Sequence, residues 1–188
     1  MNFFNVIMEI RRELETKCPL DKLEAELSDS ARNWYEWKGL KYFLYEYEES
    51  LAMGQDIQVP WRDVSRRDTS ETIEHILPQV MANSYWRSRF SDEEHGIFVN
   101  NLGNLALTTR NSQYGNRSFP EKTGNLGNAK HTYKNSSLFM LRKLSELDDW
   151  TPDEINRRHA ELTAWAKERW SEPPLTQVKE FFPFAQYL

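Results

Sequence analysis

Apolar residues recur at helical spacing along most of the chain, and only two short stretches depart from that period. Phe3, Ile7, Ile10 and Leu14 fall three or four apart ahead of Cys18-Pro19, and Leu20, Leu23 and Leu27 continue the rhythm. Two consecutive amphipathic helices are predicted. Trp34, Trp37, Leu40, Leu44, Tyr47 and Leu51 form a third apolar stripe, which Gly54 is suited to end because glycine takes the left-handed C-terminal conformation without steric cost. This helix is expected to be the longest of the N-terminal part. Its aromatics, at this period, read as packing rather than as a platform for bases. Further on, Leu138, Leu141, Leu144 and Leu147 mark another helix. Thr151-Pro152-Asp153-Glu154 then joins an N-cap, a proline at the first helical position and a capping-box glutamate, which predicts a helix over residues 152–170.

The first departure is Glu71-Thr72-Ile73-Glu74-His75-Ile76-Leu77-Pro78-Gln79, a β-branched and apolar run that sets a carboxylate beside an imidazole. Pro78, with no N–H to donate, stops further strand pairing. The second follows a Gly103-Asn104 turn: Leu105-Ala106-Leu107 reads as another short strand, and beyond Arg110 comes a polar stretch holding Asn111 and Asn116, read as a helix start. Residues 80–95 are expected to hold a short helix around Tyr85-Trp86-Arg87-Ser88-Arg89-Phe90 with Ser91-Asp92-Glu93-Glu94 after it. Residues 55–70, with Pro60 and no periodicity, read as a connector. The order strand, loop, strand, helix therefore sits between helical flanks. It divides the chain into a helical lobe at 1–70, a core at 71–136, and helices with a tail at 137–188, all in one compact unit.

Composition adds a core and removes some partners. With 188 residues, 39% hydrophobic and 13% aromatic including seven Trp, there is material for one well-buried domain. The single cysteine, Cys18, forms no internal disulfide and belongs to no Cys cluster, which fits a reducing cytoplasm and leaves any metal to O and N ligands. The N-terminus lacks a basic leader region and no apolar run reaches spanning length, so neither secretion nor membrane insertion is indicated. The apolar tail residues Phe181, Phe182, Phe184 and Tyr187 are expected to dock on the body or on a partner. A formal charge of −5 argues against coating nucleic acid through bulk charge. Between residues 110 and 134, however, stand Arg110, Arg117, Lys122, Lys130 and Lys134, with His131 and only Glu121 opposing. That window reads either as a grip for a polyanion or as a solvated loop.

The chemistry these residue types support is phosphodiester cleavage, which needs a base to deprotonate water and a metal to stabilise charge on phosphate. His75, with an ordinary pKa near ~6.5, can be a neutral base at cellular pH. Glu74 and an asparagine oxygen are hard donors suited to Mg²⁺ or Mn²⁺. Taken alone, a His beside a Glu on a strand is more often a structural hydrogen-bonding pair than a catalyst.

Ile73-Glu74-His75-Ile76-Leu77-Pro78-Gln79, Gly103-Asn104-Leu105-Ala106-Leu107-Thr108, Asn111-Ser112, Asn116, Phe119 and Lys122 together resemble an HNH, or ββα-metal, nuclease, in the form found at the C-terminus of GmrSD-type modification-dependent restriction endonucleases. Residues 37–51 and the set Tyr133, Ser136, Trp150, Ile155 and Arg158 extend the likeness over roughly residues 30–170. The resemblance implies an α+β, mostly helical fold with a small ββα core embedded between N-terminal and C-terminal helices. It also implies a metal-dependent endonuclease that cuts or nicks DNA, leaving a 5′-phosphate and a 3′-hydroxyl, in restriction of phage or foreign DNA. In that scheme His75 is the general base and Asn104 buttresses its loop. Glu74 is a metal ligand or positions one, Asn111 is the second metal ligand, and Asn116 is a further ligand or a phosphate contact. Arg110, Arg117, Lys122, Lys130 and His131 hold the substrate. The family's nuclease module is usually joined to, or paired with, a ParB-like nucleotide-hydrolysing module, for which this chain has no Gly-rich phosphate loop. The interval from Asn104 to Asn111 is about two residues shorter than in the superfamily, which leaves open which asparagine is the principal ligand. A catalytically inactive HNH-like binding or partner subunit is the alternative, and RNA remains a possible substrate because phosphate contacts carry no sugar preference.

Overall fold

The computed structural model describes residues 3–17, 19–56 and 59–171. Cys18 and the tail residues Phe181, Phe182, Phe184 and Tyr187 lie outside them, as do the side chains of Phe3, Ile7 and Leu14. Two compact units divide the chain: residues 1–29 with 163–188, and residues 30–162. In the first, α1 (Phe3–Lys17) and α2 (Leu20–Leu27) are separated by Pro19, whose extended conformation starts the second helix. Leu27 is buried, its carbonyl accepts from Thr163 Oγ1 at 3.2 Å, and Lys167 Nζ bonds Glu24 at 2.6 Å.

The second unit holds all the candidate chemistry. The apolar stripe beginning at Trp34 is not one helix. A 3-10 turn at Trp34–Glu36 is followed by extended Trp37, and α3 (Leu40–Ala52) begins after Gly39. The reason lies at Gly39, where a Cβ would stand 2.6 Å from the Trp37 indole, so that ring folds back over bare backbone. The helix ends as expected near Gly54, with Met53 and Gly54 both at positive φ. Trp34, Phe43, Leu44 and Tyr47 are buried, in keeping with a packing role. Each contributes on the order of 1.5–3 kcal/mol by leaving water.

The connector folds into two short helices, α4 (Trp61–Ser65) and α5 (Thr69–Thr72). Lys41 Nζ gathers the carbonyls of Ser65 and Arg67 at 3.3 and 2.8 Å, tying the end of α4 to α3. β1 (Ile73–His75) then pairs antiparallel with β2, residues Leu105–Leu107, in the register Ile73↔Leu107, Glu74↔Ala106, His75↔Leu105. Between the strands lie α6 (Ser84–Arg87) and α7 (Asp92–Phe98). The acidic run read as following a helix is itself the first turn of α7, where Ser91 and Glu94 form a capping box and the carboxylates face the positive end of the helix dipole.

After β2 come α8 (Asn111–Tyr114), α9 (Phe119–Thr123), α10 (Phe139–Leu144) and α11 (Pro152–Trp170), the last with the predicted limits. α10 starts on a buried carboxylate: Glu48 of α3 accepts from the backbone N–H of Phe139 and Met140 at 2.5 and 2.8 Å, satisfying donors the helix cannot. The fold is α+β and mostly helical, with one two-stranded sheet among the described residues.

Candidate active site

A strand sends consecutive side chains to opposite faces, so Glu74 and His75 enter different surroundings. Glu74 is 2% exposed, and its Oε1 accepts from Lys122 Nζ and from Tyr133 Oη, each at 2.7 Å. Lys122, on α9, is 0% exposed and also donates to the carbonyls of His75 and Ile76 at 2.8 and 3.1 Å, which uses all three ammonium protons. Burial penalises both charges, raising the Glu74 carboxyl and lowering the Lys122 ammonium, while their contact favours the charged forms. Glu74 Oε2 has no partner among the described residues.

His75 is 6% exposed, its ring lies 4.6 Å from that of Tyr35, and Nε2 lies 3.0 Å from Asn100 Oδ1. With the amide oxygen there, Nε2 carries the proton of the neutral ring and Nδ1 holds the lone pair. Burial pulls the imidazole pKa down to about 4, helped by the charges of Lys122 and His95 and opposed by the Asn100 bond. His75 is therefore neutral at physiological pH.

The turn after His75 is held from outside. Asn104 Oδ1 accepts from Leu77 N–H at 2.7 Å and from Trp150 Nε1 at 3.1 Å, and its Nδ2 donates to the carbonyls of Leu77 and Val99, both at 2.9 Å. The backbone N–H of Ile76 bonds the Asn104 carbonyl at 3.1 Å, and His95 Nε2 donates to the Pro78 carbonyl at 2.9 Å. Trp150 and Asn104 are fully buried, so this amide works without competition from water.

The other candidates spread along the hairpin. Asn111 Nδ2 donates to Ser70 O at 2.6 Å. The carbonyl of Thr72 pairs with the Thr108 N–H at 2.8 Å, so Asn111 belongs to the end of β1 away from His75. Thr72 itself is three residues from His75, about 10 Å at ~3.3 Å per strand residue. Asn116 is exposed, and its carbonyl accepts from Asn83 Nδ2 at 2.9 Å. Arg117 donates to the carbonyls of Tyr114, Glu121, His131 and Gln113, so its guanidinium fastens the α8–α9 loop. Arg110 Nη1 meets His131 Nδ1 at 2.5 Å, and Lys130 is exposed. Lys122, read from sequence as a substrate contact, instead lies inside with Glu74.

Among the described residues no group of three or more His, Cys, Asp and Glu side chains could hold a metal. A closed zinc-type cage is thus absent there. Glu74 Oε2, outside the bonds that hold Oε1, is a hard donor of the kind that would serve Mg²⁺ or Mn²⁺. Sequence reasoning missed Asn100, Tyr35 and Tyr133. Asn100 stands just ahead of Gly103-Asn104 and its type was a signal, whereas Tyr133 entered only as part of the family likeness, and nothing local showed that it meets Glu74, 59 positions away.

The model of the family described as GmrSD restriction endonucleases, C-terminal domain, matches residues 19–165. The chain belongs to this family. Membership brings a nuclease role in restriction and DNA as the substrate class. Comparison with the curated proteins and with the solved structures found no match. No helix among the described residues is long and apolar enough to cross a membrane.

Proposed function

We propose that this chain is a metal-dependent endonuclease of the HNH type, which hydrolyses or nicks DNA phosphodiester bonds in the restriction of phage or modified foreign DNA in the cytoplasm. The observation that carries this reading is the placement of His75: a neutral imidazole at the end of β1, fixed through Nε2 by Asn100 so that Nδ1 keeps its lone pair. Its Nδ1 is the atom that takes the proton from water. Asn104 sets the loop on which that ring depends.

Mg²⁺ or Mn²⁺ is the cofactor in this reading, held by Glu74 Oε2 while Lys122 and Tyr133 fix the carboxylate from behind. Such an ion, if held there, would supply acidification of water and charge neutralisation on the phosphate. Asn116, exposed beside the Asn83 turn, is the asparagine for a further metal or phosphate contact, and Asn111 serves the strand end near Ser70. Arg110, Lys130 and His131 hold the substrate backbone, with Arg117 shaping their loop. The products carry a 5′-phosphate and a 3′-hydroxyl, and a ParB-like nucleotide-hydrolysing module is the partner.

Purified chain is expected to nick supercoiled plasmid with Mg²⁺ or Mn²⁺ and not with EDTA. His75→Ala should lower the rate by roughly 10²–10⁴-fold. Wild-type cleavage by that variant overturns the reading. A non-catalytic DNA-binding subunit is favoured by one observation, the separation of Asn111 from His75 along the hairpin. DNA binding with no Mn²⁺ uptake by calorimetry would select it.

A further inference from the structure

At the end of the hairpin away from His75, a cleft of about 390 Å³ opens between the end of β2 and residues 131–142. Its lining includes Thr108, Arg110, His131, Ser137 and Arg142, and holds no carboxylate among the described residues. Arg142 stacks its guanidinium 4.3 Å from the Phe139 ring centre and gives Nη1 to the Ser136 carbonyl at 2.7 Å. Its Nε and Nη2 have no acceptor among the described residues. Arg110 Nη1 rests on the His131 imidazole at 2.5 Å, a contact between two basic groups. Burial and the charges of Arg110, Lys130 and Arg117 all lower the His131 pKa. The nearby acid, Glu48, feels the Arg142 charge but spends its oxygens on the start of α10. Two planar guanidiniums face a polar hollow without an anion of the protein's own. A forked guanidinium matches phosphate oxygens in geometry as well as in charge.

We propose that this cleft binds a phosphate group through Arg110 and Arg142, and that the phosphate belongs to the DNA strand near the bond addressed by His75. The phosphate site stands on the cleft alone, while the assignment to the strand rests on the nuclease reading. The distance agrees: Thr108, on the cleft wall, lies three residues along β2 from Leu105, the partner of His75. That is about 10 Å at ~3.3 Å per residue, within reach of a neighbouring nucleotide. The hollow is larger than one phosphate and accommodates the sugar attached to it.

The test is binding without cleavage. Labelled duplex DNA is titrated in EDTA by fluorescence anisotropy across a salt series, and inorganic phosphate is titrated by calorimetry. Arg142→Gln and Arg110→Gln are each expected to weaken DNA binding about tenfold and to reduce the salt slope by about one. Arg142→Lys should recover part of the loss, since it returns charge without the fork. Ser137→Asp, which places a carboxylate in the cleft, gives the same loss by another route if Arg142→Gln fails to fold. Loss of inorganic phosphate binding with unchanged DNA affinity keeps the phosphate site and overturns its assignment to the strand. Unchanged binding of both ligands in all variants overturns the proposal. Cleavage lost in His75→Ala with the same anisotropy reports on the nuclease reading separately.

Discussion

Lys122 Nζ lies 2.7 Å from Glu74 Oε1, with both side chains withdrawn from water. The lysine thus serves the carboxylate, and the carbonyls of His75 and Ile76, rather than the surface. Breaking one side of a buried pair leaves an uncompensated charge, which costs roughly 3–5 kcal/mol. Lys122→Met should show that loss in urea unfolding. Glu74→Gln with Lys122→Met should cost less than the sum of the single changes, because the partners couple. A Lys122→Met protein as stable as the wild type would remove this account of the pair.

His75 sets a pH dependence of defined sign. Its folded pKa, about 4, lies below the ordinary histidine value. Between that value and ~6.5 the unfolded chain binds the proton and the folded chain does not, so stability rises with pH across this window. The contribution is fully present above ~6.5, declines as pH falls and is gone below the folded pKa; a shift of this size corresponds to about 3 kcal/mol. Denaturant midpoints should rise less steeply from pH 4 to 7 in His75→Gln than in wild type. Parallel curves would count against the buried neutral imidazole.

Asn100 bears on the same group in the opposite direction, because its bond raises the His75 pKa against burial. Asn100→Ala is therefore expected to push the imidazole further down and to free its ring. In NMR titration the His75 resonances should move at still lower pH than in the wild type. Cleavage should drop through kcat more than through KM, since the substrate contacts are elsewhere. An upward shift would show that Asn100 is not the partner that matters.

Asn104 offers an amide with all its hydrogen-bonding capacity used inside the protein. Asn104→Ala leaves the N–H and carbonyl of Leu77 without partners, at about 1–3 kcal/mol for each group so stranded. Asn104→Asp keeps the acceptors, but turns a carboxylate toward the carbonyls of Leu77 and Val99. It is expected to be at least as destabilising in a thermal melt. An aspartate variant close to wild type would contradict the amide assignment.

The two strands and the last helix were legible because their signals are local: the β-branched run before Pro78, Gly103-Asn104 ahead of β2, and Thr151 as the N-cap of α11. The break ahead of α3 was not, since it depends on the Trp37 ring lying over Gly39, a contact that periodicity ignores. His75 and Asn104 could be paired in sequence through the resemblance to a known motif. The destiny of Lys122 could not, because a lysine in a basic window reads as surface until a buried carboxylate from another element is placed beside it. The same holds for Arg117, whose four carbonyl acceptors are scattered over its loop.

Gly103 is the point at which α11 touches the hairpin turn. A Cβ there would stand 2.1 Å from the Ile155 carbonyl oxygen and 2.9 Å from the His159 nitrogen, both backbone atoms of a helix that cannot yield locally. Arg158 closes the same contact from the helix side, giving Nη1 to the carbonyls of Gly103 and Leu105 at 2.7 and 2.8 Å. Gly103→Ala must therefore push the turn and helix apart. Overpacking of this kind costs about 1–3 kcal/mol, or about 2–4 °C in Tm per kcal/mol for a chain of this size. Because the displaced residue precedes Asn104, the shift also reaches the Leu77 bonds that fix the His75 loop. Plasmid nicking should then fall at temperatures where circular dichroism still shows a folded protein. Full activity together with an unchanged melt would mean that the turn and helix are not held as closely as their geometry requires.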